Sequence, residues 1–120
     1  MLRGSDTDDY ETLEDLTTVC TSRITNMKYL FTNIENFNQD ISAWDVSNVT
    51  TMRYMFNHEE NFNQDLSAWD VRNVTEMEGM FANAQNFNQD LSAWDVGNVL
   101  IFWSFDYETP QWTLPKPNFN

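Results

Sequence analysis

The chain has 120 residues, 41% hydrophobic and 15% aromatic, which is enough to bury a core and excludes disorder for want of apolar side chains. Nineteen acidic residues against six basic ones leave a formal net charge of −13. Such a surface repels a nucleic-acid backbone or an anionic membrane, and leaves cations, basic protein patches and neutral glycans as partners.

Residues 1–9 (MLRGSDTDD) are polar and acidic and read as a disordered end. From Tyr10 to Val99 the chain follows one frame. Trp44, Trp69 and Trp94 recur every 25 residues, inside NFNQDISAWDVSNV at 36–49, NFNQDLSAWDVRNV at 61–74 and NFNQDLSAWDVGNV at 86–99. Subtracting one more period places Val19 at the tryptophan position and Leu16 opposite Ile41. Residues 10–99 therefore read as about four coils, the first diverged as a terminal repeat usually is. The alternative for 9–20 is an amphipathic helix with Tyr10, Leu13 and Leu16 on one face. Cys20, the lone cysteine, reads as a small buried hydrophobe.

Within one repeat two hydrophobic spacings occur. Leu66, Trp69 and Val71 follow L-x-x-L-x-L and predict a short strand. Val74, Met77, Met80 and Phe81 fall at i, i+3, i+6 and i+7 and predict a helix. Asn73, with Glu76 three residues on, resembles a capping box that would start it. Stacked coils would place the tryptophans and Phe37, Phe62 and Phe87 in internal ladders. The spacing thus predicts an α/β solenoid, one short parallel strand and one short helix per 25 residues. After Val99 the frame degrades: Leu100, Ile101, Trp103 and Tyr107 are apolar on several faces, and Pro110, Pro115 and Pro117 stop regular structure. Residues 100–120 read either as a C-terminal cap or as a truncated last repeat.

The unit WDVSNVTTMRYMF at 44–56, followed by FNQDLS, resembles the repeat of the BspA-like bacterial surface proteins, over residues 24–99. That resemblance implies a right-handed, leucine-rich-repeat-like coil, display at the cell surface as part of a larger exported protein, and adhesion or protein binding. It implies no catalytic residues. No basic-then-apolar export signal is visible in residues 1–30, and no run of about 18 apolar residues would insert into a membrane.

The candidate ligand-binding positions are the outward letters of the predicted strand: Ser42 and Asp45; Ser67, Asp70 and Arg72; Ser92 and Asp95. This acidic face predicts a protein or glycan ligand, against the alternative of a spacer whose face is merely solvated. Like charges repeated at coil spacing repel, so the row Asp40, Asp65 and Asp90 is a candidate for Ca²⁺. The alternative is that one Asp row accepts corner N–H groups while the other stays in water. The rows Asn38, Asn63, Asn88 and Asn48, Asn73, Asn98 predict side-chain amides bonded from coil to coil. His58 is the only histidine, beside Glu59 and Glu60, and reads as an exposed loop residue. With no nucleophile–base pair, HExxH, P-loop or CxxC, the chain does not read as an enzyme and implies no cofactor.

Overall fold

The backbone path is decided by where the N–H groups of residues 51–59 and 76–84 go. In the computed structural model, which describes residues 15–32 and 34–119, they alternate between two kinds of partner. Met52, Tyr54, Phe56 and His58 donate to the carbonyls of Glu76, Glu78, Met80 and Ala82 in the next 25-residue segment, at 2.8–3.0 Å. Met55, Asn57 and Glu59 donate back three residues, to Met52, Tyr54 and Phe56. Met77, Gly79, Phe81 and Asn83 repeat the forward pattern toward Ile101, Trp103, Phe105 and Tyr107.

An α-helix needs each N–H to reach the carbonyl four residues back. Here the groups are already committed, and the backbone turns left-handed at fixed points. Tyr29, Tyr54, Gly79 and Ser104 have φ of 59°, 54°, 62° and 58°, and His58, Asn83 and Glu108 repeat the conformation four residues on. Such residues interrupt a right-handed helix. The predicted helix over 74–81 is therefore not formed. Its i, i+3, i+6 spacing belongs to successive three-residue turns: Val74→Val71, Met80→Met77 and Ala84→Phe81 each close with an N–H to the carbonyl three residues before.

The predicted strand fails for a related reason. Leu66–Trp69 is closed by the Trp69 N–H to Leu66 carbonyl bond, and Val71–Val74 by the next one, so L-x-x-W-x-V-x-x-V is a pair of turns. Extended pairing shrinks to isolated parallel bridges linking Asn26, Thr51, Glu76 and Ile101. Among the described residues there is no helix and no sheet. The α/β solenoid of a leucine-rich-repeat coil is thus overturned. The chain is instead a body of hydrogen-bonded turns, with a radius of gyration of 13.0 Å, close to the ~13–14 Å of a compact domain this size.

The 25-residue period of the sequence reappears as the register of side-chain contacts. Phe31, Phe56 and Phe81 stack at 5.3 Å, and Phe37, Phe62 and Phe87 at 5.6 and 5.8 Å. The rings of Trp44, Trp69 and Trp94 are buried, and each Nε1–H donates to a carbonyl 28 residues earlier: Trp44 to Leu16, Trp69 to Ile41, Trp94 to Leu66. Met27, Met52 and Met77 fill the space between, all essentially inaccessible. Burying such side chains contributes ~1.5–3 kcal/mol each, the main term that holds the turns together.

Cys20 is exposed rather than buried, its thiol 3.6 Å from the Ser22 hydroxyl. The expected disordered end (1–9) and residues 10–14 lie outside the described residues; the described part of the alternative 9–20 helix, 15–20, is not helical. Residues 100–107 keep the register through Leu100 N–H to Thr75 and the Ile101 bridge. Beyond them the chain crosses the last turn. Thr113 and Leu114 donate to Asn88 Oδ1, the Pro115 carbonyl accepts from Leu91, and Trp112 sits edge-on to Phe87 at 4.8 Å. Leu100, Phe102, Trp103, Tyr107 and Leu114 remain exposed on this segment. Among the described residues no helix is long and apolar enough to cross a membrane.

Candidate interaction surface

Each of the three near-identical segments carries two aspartates, and both begin a turn. Asp40, Asp65 and Asp90 accept the N–H of Ser42, Ser67 and Ser92 at 3.0, 2.9 and 3.0 Å. Asp45, Asp70 and Asp95 accept the N–H of Ser47, Arg72 and Gly97 at 3.0, 3.2 and 3.0 Å. These are Asx turns, in which the side chain imitates a backbone carbonyl two residues before the donor. Asp15, accepting from Thr17 at 2.9 Å, extends the first row by one segment. Both rows accept backbone N–H groups, so the expectation that one row would be left to water is corrected.

Hydrogen bonds from the Ser42, Ser67 and Ser92 side chains and then from their N–H groups hold Asp40, Asp65 and Asp90 below the usual carboxylate range. Ser47 does the same for Asp45, and Arg72 for Asp70. The rows are close enough for like charges to register: Asp65 feels Asp40 and Asp90, and Asp45 feels Asp70. One oxygen of each carboxylate is committed to its turn, while Asp40, Asp45, Asp65, Asp90 and Asp95 stay exposed. Arg72 locally neutralises its row, its Nε and Nη2 gripping the two oxygens of Asp70 at 2.9 and 3.0 Å.

The predicted site residues are therefore brought into register, but as turn corners rather than as outward letters of a strand. Among the described residues no three His, Cys, Asp or Glu side chains converge to hold a metal ion. The Ca²⁺ candidates Asp40, Asp65 and Asp90 stand in single file. The asparagines do bond between segments, mainly through backbone groups. Asn63 N–H donates to Asn38 Oδ1 and Asn88 N–H to Asn63 Oδ1, at 2.9 and 2.8 Å. Asn48, Asn73 and Asn98 donate Nδ2 to the carbonyls of Ser22, Ser47 and Arg72.

A family model described as "Mycoplasma protein of unknown function, DUF285" matches residues 4–110. The chain belongs to the DUF285 family. No curated protein and no solved structure matches it.

This DUF285 chain also buries two carboxyl groups, Glu59 and Glu78, outside the predicted site residues. Glu59 occupies the row of Ile34 and Ala84, and like them it is buried, at 2% exposure. Burial pushes its carboxyl up to about 8, a bond from the Phe37 N–H partly offsets this, and the neighbouring Glu60 adds to the rise. Its Oε1 has no hydrogen-bond partner. Beside it lies a recess of about 480 Å³ lined by Thr32, Ile34, Glu35, Asn36, His58, Glu59, Glu60 and Asn61. Glu78 is also buried and pairs with Arg53, Nε to Oε2 2.6 Å. Subtracting 25 exposes the anomaly at Glu59, a carboxyl in an apolar column; the partner of Glu78 in the column Lys28, Arg53, Glu78, Trp103 is legible in the same way.

Proposed function

We propose that this chain is a non-enzymatic interaction or adhesion module, displayed at a cell surface and engaging a protein or glycan ligand through its aspartate rows. One observation carries the reading. Asp40, Asp65, Asp90 and Asp45, Asp70, Asp95 repeat in 25-residue register, each pinned by a backbone N–H, with five of the six residues exposed. A carboxylate whose rotamer is already fixed loses little entropy on binding, so a row of them favours a partner with matching donors. The resemblance to BspA-like surface proteins supports surface display.

A second reading, a spacer with no ligand, is favoured by the same hydrogen bonds, since each aspartate already has a structural task. The two separate under substitution by asparagine. Asn keeps the Oδ1 acceptor and removes the charge. Binding of the wild type and the Asp45→Asn/Asp70→Asn/Asp95→Asn variant to immobilised extracellular-matrix proteins and a glycan array should show a ligand lost by at least tenfold in the variant, with the melting temperature retained. A wild type that binds nothing identifies the spacer, and a variant that binds equally well removes the aspartates from the site.

A further inference from the structure

We propose that the recess beside Glu59 is a binding site for a primary ammonium group, such as a lysine side chain of a partner protein. The site is separate from the aspartate rows and does not rest on them. Three observations carry it: the recess itself, the buried Glu59 oxygen without a partner, and the carboxylates of Glu35 and Glu60 on the same walls. A carboxyl oxygen left unpaired inside a protein carries the full cost of its desolvation, ~1–3 kcal/mol, unless something donates to it. The two equivalent positions, Ile34 and Ala84, avoid that cost with apolar side chains. A glutamate there is a liability to the fold and an asset only to a ligand with a donor.

The chemistry selects an ammonium. The other side of the Glu59 carboxyl is served by the Phe37 N–H, so one oxygen remains, which suits a point donor better than the two-pronged guanidinium. An ammonium has three donors, enough for Glu59 together with Glu35 or Glu60. Thr32 and Ile34 give an apolar side against which an alkyl stem can lie. The net charge of −13 concentrates cations around the molecule. Glu59 is mostly protonated at pH 7 when the recess is empty, so an ammonium that pairs with it must expel the proton to solvent. Glu35, Glu60 and His58 are the other titratable groups lining the recess, and the carboxylates reinforce the preference for a cation.

The test is calorimetric titration of the full chain at pH 7 with the blocked tripeptide acetyl-Gly-Lys-Gly-amide, whose lysine side chain is its only amine, in two buffers of different ionisation heat. The amine-free acetyl-Gly-Nle-Gly-amide and CaCl₂ serve as comparison arms. Expected is binding of the lysine peptide with release of close to one proton per site. Glu59→Gln should lose at least tenfold in affinity and all the proton release. Glu59→Ala, which places at 59 the side chain already accommodated at 84, should behave the same while folding. Equal affinity in either variant, binding without proton release, or a response to Ca²⁺ alone would each overturn the proposal.

Discussion

Gly79 shows how one side chain sets the shape of a whole column. Its left-handed conformation is shared by Tyr29, Tyr54 and Ser104, so φ alone does not demand glycine. What does is the Tyr54 ring, which lies where a Cβ on residue 79 would stand. Tyr54 stacks on Tyr29 at 5.2 Å on one side and meets Trp103 edge-on at 6.3 Å across the glycine. We expect Gly79→Ala to lose ~1–3 kcal/mol in denaturant unfolding, from left-handed strain and ring displacement. Paired with Tyr54→Ala, the loss should fall well short of additive, because the second change removes the clash. A simple sum would mean that the backbone, not the ring, selects glycine. In the sequence only the break in the tyrosine column hints at this.

At the scale of one turn, the unit is an Asx corner followed by a three-residue closure. Replacing Asp70 by Ala should lower the melting temperature, and replacing it by Asn should not, since only the acceptor matters to the turn. Trp69→Phe keeps the ring burial but leaves the buried Ile41 carbonyl without its Nε1–H donor, and should cost ~1–3 kcal/mol. The sequence makes these partners legible by position but misnames the element. Apolar residues three apart suit either a helix or a run of turns closed at i−3. Only the left-handed residues distinguish them, and two of these are Tyr29 and Tyr54, which do not advertise a positive φ. The Leu-x-x-Trp-x-Val spacing likewise fits both a strand and two Asx turns. The candidate site is legible to the same degree. Asp45, Asp70 and Asp95 are found from their register, their N–H partners are not, and buried Glu59 shows only once the columns are written out.

For the whole molecule, the titrating groups oppose one another. Asp15, Asp40, Asp45, Asp65, Asp70 and Asp90 are held below the usual carboxylate range, so their contribution is present above the unfolded value of 3.8 and lost as the pH falls. Glu59 is raised, so its contribution is complete below 4.5 and lost as the pH climbs toward about 8. The folded state binds the extra proton in that window, and stability should fall by up to ~1.4 kcal/mol per pH unit. Melting temperature should therefore peak in mildly acidic buffer and decline toward pH 8. Glu59→Gln should flatten the alkaline side; an unchanged decline would assign it to general self-repulsion of the net charge.

The most direct test of the architecture is which carbonyl each N–H reaches. Through-hydrogen-bond NMR couplings on isotope-labelled protein read this without reference to element names. Turns in 25-residue register predict correlations from Tyr54 N to the Glu78 carbonyl, from Phe56 to Met80 and from Gly79 to Trp103, interleaved with Met55 to Met52 and Met80 to Met77. Correlations running four residues back through 74–81 would contradict it and restore the helix.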